Sequence, residues 1–150
     1  MFSFYLLLKF SHILSAVVAV GSNITYGVWN ARAQGDHAGF ALKGIKFLDD
    51  RIANPAYGLL LVTGLLMVFV GHLSITSPWI ITALILFAVV VVLGVGVYSP
   101  LLRNQIKLVD GGDTTSAEFE RLARRSRMLG PILVLVVVLI LVMMVFKPTL

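Results

Sequence analysis

Cysteine is absent from this 150-residue chain, which excludes disulfides, zinc–thiolate centres and covalent c-type haem attachment. Charge is scarce too. Asp, Glu, Lys and Arg make up 13% of the residues, against roughly 25% in an ordinary soluble domain. Catalytic signatures are also missing: the chain carries no Walker loop, HExxH, GxSxG or Ser/His/Asp set, so it reads more as a non-enzyme than an enzyme. No basic segment precedes the first apolar run, and Lys9 and His12 interrupt that run. The first helix is therefore expected to be retained rather than cleaved as a signal peptide.

What is present is apolar: 59% of the residues are hydrophobic. Runs at about 4–28, 55–72, 79–99 and 131–147 each reach or approach the ~20 residues that cross a ~30 Å hydrocarbon core. The fold class expected is all-α, a single integral membrane domain over 1–150 built as a four-helix transmembrane bundle. Trp79 opens the third span as an interfacial anchor, and Pro131 opens the fourth, where proline suits a first helical turn.

The net charge of +5 does not indicate nucleic acid, because the charges sit in links between spans. Arg32, Lys43, Lys46 and Arg51 lie in the first link; Arg103, Lys107, Arg121, Arg124, Arg125 and Arg127 lie in the third. Only Lys9 and Lys147 lie elsewhere. By the positive-inside rule both basic links are cytoplasmic, leaving N- and C-termini and the short "GHLSITSP" link outside. Both basic links read as partly helical. Thr115-Ser116-Ala117-Glu118 has capping-box spacing, and the helix it opens reads as a solvated extension feeding span four. A basic amphipathic stretch there could also lie on anionic headgroups. Arg51-x-x-x-Pro55 and Arg127-x-x-x-Pro131 form a faint internal echo of parallel type.

Depth decides what Lys9 and His12 cost, since a charge at the bilayer centre is penalised. Tyr26, Trp29 and Arg32 suit the cytoplasmic boundary. Counting back ~20 residues at 1.5 Å each places Lys9 at the outer boundary, able to snorkel, with His12 one turn below. Lys147 closes span four in the same way. The same count brings His72, Met143 and Met144 to a similar outer depth. Tyr5, Lys9, His12, Ala16, Ala19, Asn23, Tyr26 and Asn30 fall on one face of the first helix. Small and polar residues of this kind pack between membrane helices, so His12 is expected to face the bundle.

Two functional readings follow. In the first, His12 and His72 bind haem b, or a metal, near the outer face, in redox or cofactor handling. Copper(I) is the less favoured variant, with Met143 or Met144 as soft thioether ligands. The structural alternative has His12 hydrogen-bonded to a neighbouring helix and His72 capping a helix end. In the second, the chain is a non-catalytic accessory subunit of a larger membrane complex, or a homo-oligomer. His37 reads as solvated loop. Asp49, Asp50 and Arg51 read as charges at a helix entry, with Asn54-Pro55 marking the helix start. Gly94–Gly96 reads as helix packing rather than a nucleotide loop.

"LLLKFSHILSAVVAVG", "NPAYGLLLVTGLLMV", "RRSRMLGP" and "MVFKP" together resemble a family of small bacterial predicted integral membrane proteins of unknown function. That group is similar in turn to the membrane parts of copper-resistance D proteins and of membrane-bound protoporphyrinogen oxidase. The resemblance implies a helical membrane fold in a bacterial cytoplasmic membrane, and singles out His12, with Lys9 beside it, as the position to carry over. Spans three and four hold no histidine to partner it.

Overall fold

A computed structural model describes residues 3–148. It is helical, with no strand among the described residues. Six α-helices follow in order: α1 Phe4–Arg32, α2 Ala38–Leu48, α3 Asn54–Val70, α4 Pro78–Val91, α5 Ser99–Asp110 and α6 Ala117–Phe146. They form four long rods, because two joints are helical. A π-helical turn, Asp49–Ala53, fuses α2 to α3, and another, Val92–Tyr98, fuses α4 to α5. All four rods are long and apolar enough to cross a membrane.

The rods are longer than the apolar runs. Most of the first basic link is helix running antiparallel to the end of α1, reached by a short turn that holds an exposed His37. Amphipathic spacing drives this extension. Ala38, Ala41, Leu42 and Ile45 share one buried face of α2, and Leu101, Leu102 and Gln105 do so on α5. At this basic end α2, α5 and the first turns of α6 close over a small core with Phe119 and Leu122.

Proline placement differs from expectation in one respect. Pro131 does not start a helix; it lies inside α6, which runs unbroken through it. The physical match is instead between Pro55 and Pro100, each just past a π turn. A proline ring crowds the carbonyl of residue i−4 and cannot donate to it, and a widened π turn relieves that conflict. Asp49 is therefore mid-rod rather than at a helix entry. The cap of α6 also shifts by one residue. Ser116, not Thr115, accepts from the N–H of Phe119 at 3.1 Å, and Glu118 pairs with Arg121.

Packing follows the seam on α1. Ala19, Tyr26 and Asn30 are buried as the spacing predicts, and Leu8, Ser15 and Ser22 join them. One edge of this face meets α3 and another meets α6, while α4 packs on α6. α3 and α4 scarcely touch each other. The outer walls carry exposed Leu7, Phe10, Val17, Leu59, Ile85 and Leu135, as a lipid-facing surface requires.

Candidate functional site

Two polar constellations lie within the apolar rods. The first is built on His12. Its Nδ1 lies 3.0 Å from Thr63 Oγ1 on α3. The Thr63 hydroxyl donates its single hydrogen to the carbonyl of Leu59, one turn back. The hydrogen between His12 and Thr63 must then come from the imidazole, so Nδ1 carries the proton and Nε2 keeps its lone pair. Gly64 makes room for the ring: a Cβ there would stand 3.1 Å from His12 Cε1.

The structure does not bring His72 to this ring. His72 lies eight residues beyond Gly64, roughly 12 Å further along at helical rise. It is exposed and left-handed, with φ of 50°. The N–H of Leu73 returns to Val68 O and that of His72 to Phe69 O, the Schellman pattern that ends a helix. Met143 and Met144 are half-buried near the end of α6. Among the described residues no three His, Asp or Glu side chains gather as a metal cluster. Of the residues expected as membrane anchors, Lys147 has its Nζ 5.4 Å over the Trp79 ring, and Trp29 packs on Phe40 at 5.6 Å. Lys9 is exposed.

The second constellation lies toward the basic end, where α3 and α4 part. It surrounds a cavity of about 310 Å³. Tyr26, Val90, Tyr98 and Leu133 form its buried floor. Leu61, Val91 and Val95 form its rim and are exposed on the apolar surface. The cavity is therefore a cleft that opens sideways, toward lipid. Tyr57 and Phe87 meet edge-on at 6.1 Å from opposite walls.

Its polar groups are paired in a consistent sense. The Asn23 amide donates to the Tyr57 hydroxyl, and the Asn30 amide donates to the Tyr98 hydroxyl at 2.8 Å. Tyr26 donates to Asp49 Oδ1 at a long 3.4 Å, and its ring stacks near-parallel on Tyr98 with centroids 6.2 Å apart. Asn54 lines the same wall. Both π turns contribute, one with Asp49 and the other with Gly94, Val95 and Tyr98. Widened turns of this kind recur at functional sites.

Asn23 and Tyr26 were visible in the α1 seam. Asp49, Asn54, Tyr57 and Tyr98 were not recognised as site residues. Their signal was proximity to Pro55 and Pro100, which mark the π turns. The reading of Gly94 and Gly96 as packing glycines is corrected: a Cβ at either meets nothing within 4 Å, and Gly94 lines the cleft.

Residues 6–148 match the family described as predicted integral membrane protein (DUF2269). The chain belongs to this family. No curated protein and no solved structure matches it. The family description agrees with the four membrane-length rods and covers both polar constellations.

Proposed function

We propose that this protein holds a lipid-soluble amphiphile in the cleft between α3 and α4. The ligand's polar head rests on the Tyr and Asn floor, and its tail leaves through the apolar rim into the bilayer. The observation that carries this reading is a largely apolar cleft with tyrosine hydroxyls and an asparagine amide among its inner lining residues and a lipid-exposed rim. Its volume matches the lower end of the roughly 300–1,000 Å³ range of small-molecule sites. Asn23 and Tyr26 lie three to six residues before Trp29, roughly 5–9 Å inside the interface. With the basic end cytoplasmic in a bacterial inner membrane, the cleft opens to the inner leaflet.

The test is extraction of bound lipophiles from protein isolated with its native lipid. Gly58 and Gly94 line the cleft, and a Cβ at either meets no neighbour within 4 Å. Gly58→Phe and Gly94→Phe should fill the space, keep the fold and lose a lipophile that the unaltered protein retains. Identical extracts from all three would sink the proposal.

A second reading keeps His12 as a ligand to haem b or a metal. What favours it is the tethered Nδ1–H, which leaves Nε2 with its lone pair, the arrangement common in ligating histidines. A Soret band or stoichiometric copper, iron or zinc that disappears in His12→Ala would support it. Their absence from membranes grown with haem precursor would end it. An accessory role in a larger complex is read from co-purifying subunits in mild detergent.

A further inference from the structure

Resting on the cleft reading above, we infer that the amphiphile carries a flat, neutral, carbonyl-bearing ring of the lipid-quinone class. The reason is the direction of the hydrogen bonds. A phenol has one hydrogen to give and lone pairs to receive. Tyr57 and Tyr98 both receive, from Asn23 and from Asn30, so neither amide consumes a phenol hydrogen. Among the described residues neither hydroxyl has a second partner within hydrogen-bond reach. Two O–H donors therefore remain for a ligand. They come from different elements, Tyr57 on α3 and Tyr98 on the second π turn. Both residues line the same cavity.

A site offering donors selects a ligand that presents acceptors. Asp49 narrows the choice further. Its carboxylate lines the cavity on the Tyr26 side, which disfavours an anionic head such as a fatty acid or a phosphate. The remaining acceptor chemistry is a neutral carbonyl. Shape then separates a ring from a glycerol ester. The near-parallel Tyr26 and Tyr98 rings and the edge-on Tyr57 and Phe87 pair give the cavity an aromatic lining. Flat π systems stack offset or edge-to-face on such surfaces. The tail of the ligand would leave between Leu61 and Val91 or Val95, where the rim is exposed.

The experiment uses the full chain in lipid nanodiscs, titrated with a decyl-substituted benzoquinone. Decylbenzene, with the same tail and no carbonyl, and a monoacylglycerol, with an ester carbonyl and no ring, serve as comparators. The quinone should bind saturably and the comparators weakly. Tyr57→Phe and Tyr98→Phe should each weaken quinone binding by about two- to tenfold, the worth of one hydrogen bond. Both variants keep the ring but leave the Asn23 or Asn30 amide without its acceptor, so thermal unfolding of each is measured beside binding, and weakened binding counts only in a variant that stays folded. Equal binding of decylbenzene, or unchanged affinity in both Phe variants, would overturn the carbonyl assignment while leaving the cleft in place. Saturable binding of the monoacylglycerol alone would overturn the ring. Quinone binding that survives Gly58→Phe and Gly94→Phe would place the ligand elsewhere and overturn this inference. The cleft reading would fall separately, if extracted lipophiles were also unchanged in those two variants.

Discussion

The imidazole of His12 donates from Nδ1 to the hydroxyl of Thr63 across the contact between α1 and α3. Gly64, the next residue, supplies the space the ring occupies. Thr63→Val should destabilise the protein by about 0.6 kcal/mol and at most about 1.7, the range measured for hydrogen bonds between membrane helices. Alanine in place of glycine should add up to about 1 kcal/mol to a helix interior; at Gly64 the press on Cε1 should offset that gain, and the full gain should return in a His12→Ala background. Thermal unfolding of the unaltered protein, the three single variants and the Gly64→Ala, His12→Ala double variant in one detergent measures both terms. A Gly64→Ala effect that is the same with and without His12 would show that the ring is not what the glycine accommodates.

Gly71 is a stricter case. A Cβ there would lie 2.7 Å from the Met67 carbonyl and 2.8 Å from the Tyr5 ring. One of these neighbours is backbone and cannot swing away. Gly71→Ala should therefore cost about 1–3 kcal/mol, as overpacking does, and Tyr5→Ala should rescue it only in part. A neutral Gly71→Ala in the same unfolding assay would contradict the close approach at the end of α3.

At the basic end, Ser126 donates to Gln105 Oε1 at 2.9 Å, and both residues are buried. Removing one partner strands the other. Gln105→Leu and Ser126→Ala should each destabilise by about 1–3 kcal/mol. The double variant should recover most of the loss, because no buried polar atom is then unpaired. A double variant as unstable as the sum of the singles would mean that the cost came from lost shape and not from hydrogen bonding.

The start of α6 gives a pH-dependent prediction. Asp113 Oδ1 accepts from the backbone N–H of Ser116 at 2.9 Å and of Thr115 at 3.3 Å. The Ser116 hydroxyl first, then the Ser116 N–H and the weaker Thr115 N–H, hold the carboxyl below its ordinary value of 3.8. A depressed folded value means that the stabilisation is present above 3.8 and fades as pH falls through the lower, folded value. Protection of the Thr115 and Ser116 amides, taken relative to their intrinsic exchange rates, should fall in that acid window and stay constant between pH 5 and 8. Asp113→Asn should abolish the dependence. Ser116→Ala, which removes the side-chain cap, should cost about 1 kcal/mol at neutral pH and should also weaken the acid dependence, since it takes the hydroxyl away from Asp113.

Orientation is a fifth expectation. Single cysteines placed at Lys43 and Arg124 should resist an impermeant thiol reagent added outside, and one at Ile75 should react. The reverse pattern would invert the topology that the lysines and arginines predict.

Much of the fold was legible because membrane insertion is read from local composition. Four apolar runs suffice to name four rods, and a seam of Ala19, Asn23, Tyr26 and Asn30 suffices to orient α1. The rod ends were not legible. Continuation through Pro55 and Pro100 depends on π turns, and these are tolerated because neighbouring helices pack on the widened segments. Matching His12 to His72 by depth failed for a related reason. Counting from an interface fixes position along one helix, but a turn of relative sliding between two helices moves the pairing by about 5 Å. His12 meets Gly64 instead, and His72 serves to end α3.

By itself, then, the sequence determined the solvent and the class: a cysteine-free, charge-poor chain with four apolar runs and most of its basic residues in two of the three links. Those properties follow from transfer energies summed over neighbouring residues, so they need no knowledge of partners. The tertiary structure alone decided where the chemistry sits. Asn23 is separated from Tyr57 by 34 positions, and Asn30 from Tyr98 by 68. Nothing local pairs them. They meet because α1 packs beside α3 and the second π turn reaches α1, while α3 and α4 stay apart. The gap so left opens these amides and phenols to the apolar surface between α3 and α4.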